Sequence, residues 1–433
     1  MNPHEVSDPQ PTVPEQTPQK SKLIVQKFGG SSMGSIERIQ NVARRAVATR
    51  DEGHRVVVVV SAMAGETDRL LKLAGAISTR PADREIDVLL ATGEQVSIAL
   101  LALAIRELGR EARSFLGHQV EIRTDSMHGS ARIRAIHAEP VHECLQRGEI
   151  VVIAGFQGVD QHGNITTLGR GGSDLSAVAM AAALKADACE IYSDVDGIYT
   201  TDPNVYARAR KISRIGSEEM LEMASLGAKV LQTRSVEFAL KYKVPLHCRS
   251  SFSDGQGSWV VPEMSGLEGS HLSGLEGAVV TAVTCDRNTA KLTVKGIPDK
   301  PGVIARLFAP LAEAAINVDV IIQNPPNEGL TDVTFTVPRN VADRAVALTE
   351  SLQQELGFAQ CLVERQLAKV SVVGAGMVSQ PGVAQRTFAA LGDAGVNIRL
   401  VSTSEIKISC VVDEKDAVTA VQVLHDKFEL EKT

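Results

Sequence analysis

The sequence predicts a layered α/β domain with a largely parallel sheet, followed by two smaller units of the order β-α-β-β-α-β. Three observations carry this. Apolar runs of strand length alternate with helical patterns as far as about Ser250. A Gly/Ser-rich stretch then interrupts the alternation. Beyond it the chain repeats itself at an offset of 80 residues. Alternating strands and helices are the pattern of βαβ units, and self-similarity at a fixed offset marks a duplicated unit.

The elements follow in order. Residues 1–21 hold five Pro and no apolar core segment, and read as a disordered tail rather than a signal peptide. Leu23 to Phe28 is an apolar run suited to a buried strand. It enters Gly29-Gly30-Ser31-Ser32, and Ile36, Ile39, Val42, Ala43, Ala46 and Val47 then recur at helical spacing. Val56 to Val60 are consecutive valines, as expected of a strand buried on both faces. Glu149 to Gly155, Cys189 to Asp194 and Pro245 to Arg249 give further strands. Helical patterns cover roughly 66–80, 86–109, 131–148 and 173–187. Residues 251–280 read as a linker, in which Ser-Gly-Leu-Glu-Gly occurs twice. In the repeat, Pro301-Gly302-Val303 matches Pro381-Gly382-Val383, and Phe308, Leu311 and Asn317 match Phe388, Leu391 and Asn397. Each half opens with an alternating strand (Lys291 to Lys295, Lys369 to Val373). Further strands follow at Asp332 to Val337 and Ile406 to Val412, and second helices at 341–356 and 414–427. That is a ferredoxin-like order. The expected organisation is a catalytic domain at 22–250 and repeat units at 281–360 and 361–433.

Composition narrows the function classes. A length of 433 residues suggests roughly three domains. Lys and Arg number 45 against 52 Asp and Glu, for a net charge of -7. A nucleic-acid or anionic-membrane binder would need a basic face, and with aromatics at 3% base-stacking surfaces are scarce too. No apolar run approaches the roughly 20 residues of a spanning helix. The six Cys form no C-x-x-C pair and no zinc spacing with His, so they read as reduced thiols of a cytoplasmic protein, with no metal site of their own.

Several segments could carry chemistry. Lys27-Phe-Gly-Gly-Ser-Ser32 places two glycines and a lysine between a strand and a helix start. Backbone N–H groups there could cradle phosphate, or the segment could be a plain strand-to-helix turn. It is not a Walker A loop. Thr167-Leu-Gly-Arg-Gly-Gly-Ser-Asp174 opens a second helix. Ser173 and Asp174 there fit ordinary helix caps, but a cap does not account for Arg170 between glycines, which suits bidentate recognition of a carboxylate or phosphate. Ser193-Asp-Val-Asp-Gly-Ile-Tyr199, with Thr200-Thr-Asp-Pro203, follows a strand end, where open parallel sheets bind ligands. Glu94 reads by itself as a solvated first-turn acid, Thr67 as a helix cap and Lys229 as a surface cation. Val372-Val-Gly374-Ala-Gly376 imitates a dinucleotide fingerprint without its βαβ context.

Taken together, the phrases Lys-Phe-Gly-Gly-Ser-Ser, Gly-Arg-Gly-Gly-Ser-Asp and Ser-Asp-Val-Asp-Gly-Ile-Tyr-Thr-Thr-Asp-Pro, in this order and ahead of a tandem repeat, resemble the aspartokinases. The resemblance runs from Lys22 to about Leu430. It implies a three-layer amino-acid-kinase domain with two ACT domains. It also implies transfer of phosphate from ATP, with Mg2+, to the β-carboxylate of L-aspartate. That reaction opens lysine, threonine, methionine and isoleucine synthesis. By resemblance, Lys27, Gly29, Gly30 and Ser31 cradle the phosphates, and Ser193, Asp194, Tyr199 and Lys229 hold the nucleotide. Thr67, Glu94, Arg170, Gly171, Gly172 and Ser173 hold aspartate, and Asp174 organises Lys27. A β-carboxylate with an ordinary pKa near about 3.9 is ionised at neutral pH, so positioning and charge neutralisation suffice without a general base. Asn204 stands where many relatives carry an Arg on the nucleotide, with Arg208, Arg210 and Lys211 nearby as substitutes. Leu175 replaces a common Thr or Tyr.

The ACT pair implies a homodimer or higher homo-oligomer, inhibited by lysine and/or threonine. The implied effector residues are Asp299, Pro301, Gly302, Asn317, Asp319, Gln323 and Asn324 in the first unit. In the second they are Ser379, Gln380, Pro381, Gly382, Asn397 and Ile398. A shorter regulatory subunit starting at Met264 is a further implication. The alternatives are a kinase for another acidic amino acid and a catalytically inactive amino-acid sensor.

Overall fold

The structure is a computed structural model and describes residues 21–228, 230–262 and 279–432. The tail, Lys229 and most of the Gly/Ser-rich stretch, including Met264, lie outside the described residues.

An eight-stranded sheet organises the first domain. Its strands run in the order Arg214–Gly216, Ser258–Val261, Leu246–Ser250, Ala188–Ser193, Leu23–Phe28, Arg55–Val60, Ile150–Ala154 and Ala112–Phe115. Every pairing is parallel except that of Leu246–Ser250 with Ser258–Val261. The valine run shows why both faces are covered. Val57 and Val59 enter one core with Leu23, Val25, Val151 and Ile153. Val56, Val58 and Val60 enter the other with Ile39, Val42, Leu101 and Ile105. Side chains alternate across a strand, so an unbroken apolar run requires apolar layers on both sides.

Local readings differ from the sequence expectation in four places. Residues 131–148 are not one helix: Ile133–Ile136 is a strand of a small four-stranded sheet, and the helix is Glu139–Gln146. The pattern over 86–109 resolves into two helices, Asp83–Leu90 and Thr92–Glu107, meeting at Ala91. Ser258–Val261 lies in the stretch read as linker yet extends the main sheet. Its Ser258 Oγ accepts from Ile198 N at 2.8 Å, and Trp259 stacks on His247 with centroids 4.0 Å apart. Finally, Asp83–Glu107 taken together is long and apolar enough, by length and composition, to cross a membrane. Counting only uninterrupted apolar residues misses it, because Asp87 and Glu94 interrupt the run. Half of its most apolar window is buried within the protein, and both acids are buried too.

The repeat forms a single six-stranded sheet, in the order Ile321–Gln323, Leu330–Pro338, Ala282–Pro298, Gln360–Val373, Lys407–Asp413 and Ile398–Thr403. The two opening strands are longer than the sequence pattern suggests, and each serves both halves. Lys291–Lys295 pair with Gln360–Glu364, whereas Ala282–Asp286 pair with Lys369–Val373. Val280 and Val283 pack into the core of the second unit, with Val370, Val372 and Leu424. The first unit, centred on Leu292, Leu307 and Phe335, is therefore inserted into the second rather than preceding it.

Candidate active site

The site gathers where the parallel strands end. Lys27 sits one residue before the end of a fully buried strand and is itself 9% exposed. Its Nζ lies 2.5 Å from Asp174 Oδ1. Gly29 follows, where a Cβ would stand 3.3 Å from Lys27 Nζ, and at Gly30 one would stand 3.2 Å from Ala62 O. Gly29 thus keeps open the space beside the ammonium that an anion would use, and Gly30 lets the turn pass close to the backbone at Ala62 and Ala64. The glycines do not start an α-helix directly, as the spacing suggests. A 3-10 turn, Gly30–Met33, intervenes, and Ser35 caps the helix Ile36–Asp51 by accepting from Arg38 N. Ser31 holds that turn through its carbonyl, which accepts from Arg38 Nη1 at 2.6 Å.

The second glycine turn closes over the first. Gly171 has φ 73° and precedes the helix Gly172–Leu184, whose first turn carries Ser173 and Asp174. A Cβ on Gly171 would fall 1.9 Å from Gln232 Cγ, so a side chain there has no room. Ser173 packs against Gly155, where a Cβ would be 2.8 Å away. Neither Ser173 nor Asp174 acts as the cap expected of it. Asp174 spends its charge on Lys27. Arg170 is exposed and faces a cavity of about 1350 Å³, shared with Asp194, Tyr199, Asn204, Gly227, Ala228 and Val230. Lys229 lies outside the described residues, between two of these.

Glu94 corrects the reading of a solvated first-turn acid. It is 3% exposed. One oxygen, Oε1, accepts from Ala62 N at 2.9 Å, and Oε2 has no partner. Burial pushes its pKa up to about 7 against the backbone donors that oppose it. A cationic group placed at Oε2 would satisfy both the charge and the orphaned oxygen. Thr67 stands half-buried in the first turn of Glu66–Ile77.

Among the residues implied for the nucleotide, Ser193 ends its strand and bonds within its own turn, to Val195. Tyr199 OH donates to Asp196 Oδ1 at 2.8 Å, and burial, followed by that carboxylate, raises its pKa to about 12. Asn204 is turned inward on its own loop, its N and Nδ2 both donating to Asp202 Oδ1. Its supposed substitutes are mostly engaged elsewhere. Arg208 pairs with Asp426 and Glu431, and Arg210 donates to Leu430 O, both in the repeat. Lys211 reaches the cavity wall, 3.0 Å from Asp196.

The effector residues implied for the repeat fall into two groups around the Pro-Gly turns. Gly302 (φ 85°) and Gly382 (φ 93°) precede the helices Val303–Glu313 and Val383–Asp393, next to Pro301 and Pro381. Asn317 and Asn397 are exposed at matching turns, with Ile398 half-buried beyond. Gln323 Nε2 donates to Asp299 Oδ1 at 3.4 Å, and the Asn324 backbone donates to Asp332 O and accepts from Thr331 Oγ1. Ser379 Oγ donates to Gly376 O, one residue before Gln380. Asp319 is paired with the buried Lys369 of the other unit.

Sequence reading missed the buried Asp87, which binds Thr167 and the 128–129 loop. Its signal was the spacing of Asp87 and Glu94, seven residues apart on one helical run. It also missed the bolts between catalytic domain and repeat: Thr200 with His425, Tyr206 with Asp426, Glu219 with Thr281 and Ala375, and Glu222 with Lys407. These cross long sequence separations and leave no local pattern.

The amino acid kinase family profile matches residues 22–250, and ACT domain profiles match 291–357 and 370–428. A Stutzerimonas stutzeri protein named aspartate kinase is 50% identical over 409 residues, covering 94% of this chain and 98% of that protein. The crystal structure of Escherichia coli aspartokinase III in complex with aspartate and ADP (R-state) is similar at a TM-score of 0.79 and 28% identity, covering 94% of this chain and 99% of that one. Its T-state structure in complex with lysine and aspartate is similar at a TM-score of 0.74 and 28% identity, covering 94% of this chain and all of that one. With the two glycine turns, the Lys27–Asp174 pair and the duplicated unit in one chain, this chain belongs to the aspartokinases of the amino acid kinase family.

Proposed function

We propose that the chain transfers the γ-phosphoryl group of ATP to the β-carboxylate of L-aspartate. The observation that carries this reading is the Lys27–Asp174 ion pair, 2.5 Å long, at the point where both glycine turns meet. The uncovered backbone at Gly29 fits a polyphosphate, since a side chain there would stand beside the Lys27 ammonium. Magnesium, when bound, supplies further neutralisation of the phosphate charge, and it needs few protein ligands because the phosphates provide others. Lys27, Gly29, Gly30 and Ser31 hold the phosphates, while Ser193, Asp194, Tyr199 and Lys229 hold the nucleoside end.

The acceptor is recognised by charge at both ends. Glu94 takes the ammonium, and Arg170, on its glycine hinge with Gly171, Gly172 and Ser173, takes a carboxylate; Thr67 flanks them. The attacking oxygen is already an anion, so no base removes a proton. Asp174 keeps Lys27 aimed until the phosphates arrive. The chemistry therefore consists of positioning and electrostatic stabilisation.

Catalysis is assigned to residues 22–250 and regulation to the repeat. Lysine and/or threonine bind at the Pro-Gly turns, in a homodimer or larger homo-oligomer formed through the ACT units, and reduce flux into lysine, threonine, methionine and isoleucine synthesis. The E. coli complex with lysine supports the first of these effectors, and the bolts from Glu219, Glu222 and Thr200 give the repeat a mechanical hold on the nucleotide side. ADP release that requires both L-aspartate and magnesium, and that falls at least 100-fold in Lys27→Met, tests the reading. ADP release indifferent to aspartate would overturn it.

A further inference from the structure

Asp87 lies in the helix Asp83–Leu90 and is completely buried. Its two oxygens accept from Thr167 Oγ1 at 2.5 Å, from His128 Nδ1 at 2.8 Å, and from Gly129 N at 3.0 and 3.1 Å. A carboxylate only accepts, so the His128 ring carries its proton on Nδ1. Burying a carboxylate is costly unless its lone pairs are satisfied, and here two separate chain segments, the 128–129 loop and Thr167, are committed to satisfying one group.

Each partner borders the turn that carries Arg170. Thr167 is the last residue of its strand, three before Arg170, and its carbonyl accepts from Ala131 N at 2.9 Å. Gly129 O lies 3.0 Å from where a Cβ on Gly169 would stand. Arg234 clamps the same point from the other side, donating to Leu168 O at 2.7 Å and Ala131 O at 3.0 Å. In the opposite direction, the helix of Asp87 passes through Ala91 into the helix of Glu94, and Gln157 Nε2 fixes that joint by donating to Ala91 O at 3.0 Å. Asp87 is therefore a buried tie between the Glu94 side and the Arg170 side, beside Gln157, which pairs in register with Thr167.

We infer that Asp87, acting through Thr167 and His128, is a positioning residue that fixes the spacing between Glu94 and Arg170, and so selects the length of acidic amino acid the site accepts. The inference rests on the reading that Glu94 and Arg170 hold the acceptor. L-Glutamate is one methylene longer than L-aspartate, so a looser tether should cost aspartate more than it costs glutamate.

The test is steady-state kinetics of the full chain carrying Asp87→Asn or Thr167→Val, with Glu94→Gln as control. Asp87→Asn is expected to raise the aspartate KM about tenfold or more, to leave the ATP KM within twofold, and to raise turnover of L-glutamate relative to L-aspartate. Thr167→Val, which removes one donor at nearly constant volume, is expected to raise the aspartate KM about threefold. It decides the question if Asp87→Asn does not fold. An unchanged aspartate KM in the folded variants, while Glu94→Gln raises it, overturns the inference alone. Aspartate and ATP KM rising together with a lowered melting temperature also overturns it, since that marks general loosening. If Glu94→Gln leaves the aspartate KM unchanged, the acceptor reading falls and this inference falls with it.

Discussion

Replacing Glu94 by Gln separates the cost of a buried charge from its use. The substitution keeps the shape and an oxygen for Ala62 N, and removes the charge. If Glu94 pairs with the substrate ammonium, a hydrogen bond between two charged groups is lost, worth about 1.5–3 kcal/mol. At about 1.4 kcal/mol per decade this is roughly 10- to 150-fold in kcat/KM for aspartate. Stability should move the other way. Burial holds the folded pKa up at about 7, from an ordinary 4.5. Between those values the folded state binds more protons than the unfolded one, so wild-type stability falls as pH rises through this window. The penalty reaches about 3 kcal/mol by pH 8, to order of magnitude. Glu94→Gln is then more stable than wild type at pH 8 and no more stable at pH 5. The ionised form is the one that binds ammonium, so the wild-type aspartate KM should rise as pH falls below about 7, while the variant stays flat. Initial rates from pH 6 to 9 and thermal melts at pH 5 and 8 provide the measurements. A kcat/KM within threefold of wild type, or a wild-type KM flat from pH 6 to 8, would mean that Glu94 does not pair with the substrate ammonium.

Three other expectations follow from the same structure. Gly29→Ala should raise the ATP KM several-fold and leave the aspartate KM near wild type, because the new methyl group stands 3.3 Å from Lys27 Nζ. Burial pushes Glu190 up, yet the His247 ring 3.5 Å away, the hydrogen bond from Gln26 and the charge of Arg249 outweigh it and hold the pKa at about 2. Its contribution is thus present above about pH 4.5 and lost as pH falls towards 2, so Glu190→Gln should lower the melting temperature at pH 7 by more than at pH 3, as melts at the two pH values would show. Lysine or threonine should give a saturable heat in isothermal titration and lower the rate. Absence of heat with both, in active enzyme, would leave the repeat a structural module.

What the sequence made legible was local. The valine run at 56–60, the strand Leu23–Phe28 and the Pro-Gly pairs at 301–302 and 381–382 each carry their pattern within a few residues, and each led to the correct element. The insertion of one repeat unit into the other was not legible, because one continuous strand, Ala282–Pro298, serves both and only its partners at 360–373 reveal the division. The burial of Glu94 was hidden for a similar reason. The helix position alone suggests solvent, and it is the approach of Ala62 from another strand end that excludes it. Asp87 shows the same limit, since its donors come from positions 41 to 80 residues away.

A kinase of this kind places phosphate on the β-carboxylate of aspartate. Trapping the acyl phosphate with hydroxylamine, in the presence of L-aspartate, ATP and magnesium, tests it directly. Aspartyl-β-hydroxamate should form in step with ADP and be lost in Lys27→Met. Folded wild-type protein that releases ADP without hydroxamate, or forms neither, would contradict it.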